Sequence, residues 1–352
     1  MDYYYIEKKL QEWNQIELFL RERYFAKLKN SKNNDFKYIL DADEIKINQF
    51  LLEGNYISSN IHKMYESNIF TLTNNHMDIA FCRHNRYNPV FLHGHSFYEI
   101  IYILKGHAHN SINGEKILLT TGDILIIPVG VKHEIAVFND DTILMNIVIR
   151  NSTFKEVFFD FLNQDNILSK FFLMNLYMKN TSNYILFHTG ENREILNTFY
   201  EMYSEFVEKK PYSNIVIPNL LKVFFARILR YYDKIATISS SNSEDEMVAV
   251  AFLQYIKEHY QNITLEDIAK HFHFTEPYTS KLIKKATGKT FSQLLQRIRM
   301  DNAILLLKNT DISISAVGES IGYMNPENFI RLFKKYYDIS PGEYRNKIKK
   351  NL

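Results

Sequence analysis

Two short helical stretches joined by a tight turn occur twice in the last third of this chain, and that duplication constrains its fold more than any other feature. Thr264 stands three residues before Asp267, close to capping-box spacing, and opens an apolar-periodic helix that ends near His271. His273, Phe274 and Thr275 make a turn, and Glu276-Pro277 begin a second helix running to Lys285. Proline is tolerated there because the donor it lacks would be unpaired in the first helical turn. Ala269 is small where the second helix must cross the first. About fifty residues later the grammar recurs: Ser313 to Gly318, a turn at Ile321-Gly322-Tyr323, then Asn325-Pro326-Glu327 and a helix through Lys335. Gly318 takes the crossing position, and Gly322 can adopt the left-handed conformation that the turn asks for. Between the two units Phe291 to Asn309 is an uninterrupted amphipathic pattern, long enough to act as a rigid connector. Two such second helices on one rigid body reach successive major grooves of B-DNA, about 34 Å apart.

The charge distribution points the same way. The chain has 42 Lys and Arg against 40 Asp and Glu, a balance that names no partner by itself. From Met247 to Leu352, however, there are 16 basic and 10 acidic side chains, against 26 and 30 in the rest. A basic C-terminal third after a mildly acidic body implies nucleic acid. Base-edge readers are expected from the N-terminal halves of the second helices: Glu276, Pro277, Tyr278, Ser280 and Lys281 in the first, Pro326, Glu327, Asn328 and Arg331 in the second. Lys284, Lys285, Lys334 and Lys335 are placed for phosphate, which gives affinity without sequence information.

From Met77 to about Ile149 the texture changes to short β-branched and aromatic runs broken by turn signals such as Lys105-Gly106 and Asn113-Gly114. This is an all-β meander, a barrel or jelly roll. His93, His95 and Glu99 lie at even separations along one candidate strand, so alternation puts them on the face where a barrel keeps its cavity. The run from Gly122 through Pro128 and Gly130 delivers His133. Three imidazoles and a carboxylate can together hold a divalent ion (Mn, Fe, Ni or Zn) or line an effector pocket without metal. His107 and His109 read as an exposed hairpin, and His271 and His273 as structural turn residues.

The expected layout is a multidomain α+β chain. A helical extension spans 1–76, with Ile16, Phe19, Leu20 and Phe25 at helical spacing. A β domain spans 77–190 and closes with a strand at Tyr184 to Gly190. A helical segment follows at 191–235, whose Leu220, Leu221, Phe224, Phe225 and Ile228 can pack on its own barrel or on a second copy in a homodimer. A Ser-rich linker at 236–246 precedes the all-α domain at 247–352. The single cysteine, Cys82, excludes an intramolecular disulfide and reads as a small buried hydrophobe in a reducing compartment. No stretch approaches the ~20 apolar residues of a spanning helix, and the first residues lack a signal-peptide core, so a soluble, cytoplasmic protein with no membrane partner is expected.

The C-terminal residues resemble the AraC/XylS family of bacterial transcription regulators over about Met247 to Arg345. Ile268-Ala269, Gly288 with Phe291, Arg299 with Ala303 and Leu306-Leu307 fall where that family's signature puts them. So do Gly322-Tyr323, Phe329, Arg331, Phe333-Lys334-Lys335, and Ser340-Pro341 with Tyr344-Arg345. Thr279 departs from a usual large apolar residue, Gly318 from Ala and Asp338 from Gly, which implies weaker local packing. The β region is similar to the two cupin motifs: His93-X-His95, three residues, Glu99, six residues, Gly106; then Gly122, five residues, Pro128, Gly130, two residues, His133. Tyr87 and Val137 stand where those motifs have Gly and Asn. The resemblance implies an N-terminal cupin-like β-barrel (jelly roll) with flanking helices ahead of a double helix-turn-helix domain.

These readings lead to an expected one-component regulator, not an enzyme. A small-molecule effector in the β domain would change how a homodimer presents its helix-turn-helix units to promoter DNA, and activation would add contact with RNA polymerase. One alternative is a metal-dependent cupin enzyme, a dioxygenase or isomerase, fused to a DNA-binding module. Another is a regulator whose β domain serves only as a dimer platform.

Overall fold

The computed structural model describes residues 3–30, 63–66, 70, 77–158, 161, 164–179, 183–239 and 244–350. Most of the expected 1–76 extension after its two helices, and part of the 236–246 linker, lie outside the described residues. The chain forms two compact units: Met1–Asp160 with Ser182–Ser240, and Phe161–Thr181 with Ser241–Leu352. The segment 161–181, placed by sequence inside the β domain, thus packs with the C-terminal helices.

The first unit opens with α1 (Tyr3–Gln11) and α2 (Gln15–Asn30). Its strands are β1 (Lys63–Met64), β2 (Ile79–Arg83), β3 (Gly94–His95), β4 (Tyr98–Lys105), β5 (His107–Ile112), β6 (Glu115–Thr120), β7 (Asp123–Ile127), β8 (His133–Ala136) and β9 (Ile143–Ile149). Helix α3 (Asn151–Phe158) follows; after the excursion into the second unit come β10 (Ile185–His188), α5 (Arg193–Glu208), α6 (Ser213–Tyr232) and β11 (Thr237–Ile238). The six-stranded sheet has the order β11-β10-β7-β4-β9-β2, the three-stranded sheet β6-β5-β8, and β1 pairs in parallel with β3. Apolar residues from both larger sheets share one core: Ile101, Ile103, Leu125, Ile127 and Leu144 from the first, Ala108, Ile112, Leu119 and Ile135 from the second. The β5–β6 turn is Asn113-Gly114, with φ of 53° and 83°; two positive φ values make the turn whose twist matches a two-residue hairpin.

The stripe on α6 is buried within this unit. Leu221, Phe224, Phe225 and Ile228 are fully buried, with Phe224 against Tyr102 and Phe225 edge-on to Phe158. Leu220 is half-buried. On α2, Leu20 is buried and Phe25 exposed. Cys82 is only half-buried, because it lies near the end of the edge strand β2.

The second unit contains α4 (Ile167–Tyr177), α7 (Glu244–His259), α8 (Leu265–His271), α9 (Glu276–Thr287), α10 (Phe291–Asn309), α11 (Ile314–Ser320), α12 (Pro326–Tyr337) and α13 (Pro341–Lys350). The Thr264/Asp267 capping box is present in full, and Thr290 with Gln293 makes a second at the start of α10. Helix α4 is tied in by Tyr177, whose hydroxyl donates to Asp301 at 2.9 Å, by Gln254 on Asp165 at 3.0 Å, and by the backbone of Lys179 on Ala286 at 2.8 Å.

Candidate functional site

The expected strand through His93, His95 and Glu99 is broken. His93 forms an isolated bridge with His133, His95 lies in β3, and the chain bends at Ser96-Phe97 before Glu99 enters β4. The bend has distant and local causes: the amide of Ser96 donates to Met64, that of Gly130 to His95, and the Phe97 ring stacks on His95 at 4.6 Å. Strand β3 therefore pairs with β1, while β4 belongs to the main sheet.

The side chains converge all the same. One donor atom each from His93, Glu99 and His133 lie within 4.8 Å of one another, and all three residues are buried. His133 Nε2 is 3.2 Å and His95 Nε2 3.5 Å from Glu99 Oε2, although His95 falls outside the tighter trio. The outer ring nitrogens of His93 and His95 are anchored on the backbone carbonyls of Phe91 (3.1 Å) and Phe97 (2.6 Å). His133 Nδ1 lies 3.5 Å from the Asn110 amide. Inward, His95 Nε2, His133 Nε2 and Glu99 Oε2 are buried, and among the described residues they meet only one another. Burial, then the neighbouring His133, pushes His93 down to about 3; burial also lowers His133. Burial alone would raise Glu99, but hydrogen bonds and charge from His133 and His95 hold it well below the ordinary carboxylate range. Imidazoles converging on a carboxylate, with ring nitrogens tied on their far sides, are the donor set a divalent ion takes.

Sequence spacing missed His84. His84 directly follows β2, and its Nε2 is buried and unpartnered among the described residues. Burial lowers it to about 4, and it senses both Glu99 and His133. Also unforeseen is Glu17 of α2, fully buried, with Oε2 2.6 Å from Arg83 and 2.9 Å from Arg86. These partners are more than sixty residues away in sequence, so no local pattern reports them.

In the second unit the two helix-turn-helix motifs share one hydrogen bond: Phe274 N donates to Ala269 O and Tyr323 N to Gly318 O, both at 2.9 Å. His273 and Gly322 take the left-handed conformation, φ 59° and 89°. A Cβ at Gly322 would lie 2.1 Å from the Gln261 carbonyl, so no larger residue fits. Gly318 tightens the crossing, since a Cβ there would meet the Phe329 ring at 3.0 Å. Arg299 of α10 donates to the carbonyls of Tyr260 (2.8 Å) and Gln261 (2.7 Å), fixing the connector to the end of α7.

Of the expected nucleic-acid contacts, Glu276, Pro277, Tyr278, Lys281, Lys284 and Lys285 are exposed on α9, with Ser280 half-buried. On α12 Glu327, Asn328, Arg331, Lys334 and Lys335 are exposed and Pro326 half-buried. Among them, Arg331 donates to Asn328 at 3.0 Å, Lys285 pairs with Asp245 at 2.6 Å, and the Tyr278 hydroxyl lies 3.5 Å from the same carboxylate. His271 stacks on Tyr255 at 4.1 Å, a packing role. His107 and His109 are exposed on β5.

Comparison with known proteins gives two family matches: an AraC-like ligand binding domain over residues 79–163 and a helix-turn-helix domain over residues 268–347. The chain is similar to the Msm operon regulatory protein of Streptococcus mutans, 23% identical over 301 residues, covering 83% of this chain and 99% of that protein. It is similar to the transcriptional activator RhaR of Mannheimia succiniciproducens, 28% identical over 274 residues, 74% of this chain and 89% of the relative. With the HTH-type regulator YisR of Bacillus subtilis it shares 31% identity over 133 residues, 38% of this chain and only 46% of the relative's length. The stretch shared with YtdP of the same organism spans 13% of that protein.

Proposed function

This chain belongs to the AraC family of DNA-binding transcription regulators, and we propose on that premise that its β unit senses a small effector at the His93–Glu99–His133 centre while its two helix-turn-helix motifs read promoter DNA. The observation that carries the DNA reading is the pair of exposed basic helices, α9 and α12, joined by one connector that Arg299 anchors. Arg331, Asn328 and Glu327 lie toward the start of α12, where base edges are reached; Lys334 and Lys335 lie a turn later, where phosphates run. On α9 the same division gives Glu276 to Lys281 the bases, and Lys284 and Lys285 the backbone. The regulators among its relatives give the cupin-enzyme alternative no support.

The centre fits a divalent ion, Mn, Fe, Ni or Zn. His93, Glu99 and His133 would hold it, with His95 alongside, because one donor atom from each of the three converges in a buried cluster and the Nδ1 atoms of His93 and His95 are already tied to backbone carbonyls. A bound ion would supply a positive charge that orients an oxygen or nitrogen of the effector. Burial does the rest: it disfavours the charged forms of the His93 and His133 imidazoles. An effector acts only by binding one arrangement of the chain better than another. Homodimerisation, contact with RNA polymerase and a cytoplasmic setting complete the proposal; no helix among the described residues is long and apolar enough to cross a membrane.

Elemental analysis of the purified chain beside a His93→Ala/His133→Ala variant tests the centre. About one metal per chain, lost in a variant that keeps its fold, supports the metal; no metal in the folded wild type leaves an effector pocket lined by the same side chains. Gel shifts with the region upstream of its own gene test the DNA reading, and binding no tighter than to mixed-sequence DNA contradicts it.

A further inference from the structure

The first turn of α7 lays a carboxylate on the first recognition helix. Tyr278, Lys281 and Lys285 follow one another at helical spacings of three and four on α9, so they share a face. Asp245 reaches that face: Lys285 Nζ donates to Asp245 Oδ2 at 2.6 Å, and the Tyr278 hydroxyl to Oδ1 at 3.5 Å. The Asp245 carboxyl is held below its ordinary value first by the hydrogen bond from Lys285, with Lys281 adding its charge. The pair is made in water, with 66% of the Lys285 side chain and 40% of the Asp245 side chain exposed. It packs no core.

Ion pairs in that setting are weak, and a phosphate approaching the same face meets both a cation already engaged and a repelling carboxylate. We propose that Asp245 is a built-in competitor of DNA phosphate, occupying Lys285 and Tyr278 in the free protein and so setting the affinity of the first helix-turn-helix. The inference rests on the reading of α9 as a DNA-contacting helix. Asp245 lies at the junction with the Ser-rich segment, so withdrawing the first turn of α7 frees the face without any change in α9. Affinity can thereby be adjusted while the base-reading residues stay as they are.

The test uses the full chain and a fluorescent mixed-sequence duplex at low salt, read by anisotropy, with melting temperatures as a fold control. Asp245→Asn should bind about 1.5- to 5-fold tighter, the range that such a surface pair supports. Asp245→Glu should keep wild-type affinity. Glu244→Gln, which removes the same charge from the same turn, should gain less. In a Lys285→Ala background the gain from Asp245→Asn should vanish. If Lys285→Ala weakens binding while Asp245→Asn leaves it unchanged or weaker, Asp245 is no competitor and the proposal is overturned. If Lys285→Ala binds as the wild type does, the reading of Lys285 as a phosphate contact fails first, and the proposal falls with it.

Discussion

Thr279 stands at a fully buried position of α9 where a large apolar side chain is usual, and its hydroxyl has no hydrogen-bond partner among the described residues. A buried, unsatisfied hydroxyl costs about 1–3 kcal/mol, so Thr279→Val should stabilise the second unit by about 1–2 kcal/mol, measured by urea denaturation. Lys257 offers a pH test. Burial lowers it to about 8, while its Nζ donates to Asn302 at 2.9 Å. Between about pH 8 and 10.5 the folded chain has released this proton and the unfolded chain has not, so stability rises with pH across that window. Below pH 8 both states are charged and the full penalty applies, up to about 3 kcal/mol. Urea midpoints of Lys257→Met followed from pH 7 to 10.5 should lack this rise; a parallel pH dependence in both proteins would refute it. At this scale the His93–Glu99–His133 set was legible, because motif spacing is a local property. His84 was not, since it lies just past β2 and outside both histidine motifs. Glu17 was not, since a glutamate on a helix reads as solvated until Arg83 and Arg86 are brought to it.

At the scale of elements, periodicity served where a pattern is repeated within one stretch. The helices of both helix-turn-helix motifs, the Asn113-Gly114 hairpin and the strand at Tyr184 to Gly190 all lie close to where the sequence puts them. The strand through His93 to Glu99 failed because its break depends on pairing with β1, about thirty residues upstream. Helix α4 was legible as a helix but not as a member of the second unit, because its ties to Asp301, Gln254 and Ala286 span about 90 to 125 positions. Tyr177 is the strongest of these ties: its hydroxyl is buried on Asp301, and burial first, then the Asp301 charge, raises its pKa well above the ordinary value. Tyr177→Phe should cost the second unit about 1–3 kcal/mol, since the hydrogen bond goes to a charged group. Hydrogen exchange should show protection falling together in 164–179 and 244–309, while strands β4, β7 and β9 stay unchanged. Loss of protection in those strands instead would place α4 with the β unit.

For the whole molecule, the charge split and the duplicated motif said more than overall composition did. A net charge near zero conceals a basic C-terminal third, and only the position of that charge on α9 and α12 connects it with DNA. The order of the two functional parts, sensing before binding, was legible from the change in texture near Ile149 and the Ser-rich run after Tyr232. The exchange of 161–181 between units was not. Specificity is the property on which the regulator reading stands, and the two ends of α12 separate it from mere affinity. The most direct measurement is therefore the ratio of affinities for the chain's own upstream region and for mixed-sequence DNA, at one salt concentration, in wild type, Arg331→Ala and Lys335→Ala. Arg331→Ala should lose about 1–3 kcal/mol on the specific site and little on mixed DNA, while Lys335→Ala should weaken both alike and preserve the ratio. Equal losses on both DNAs for both variants, or a wild-type ratio near one, would contradict the account.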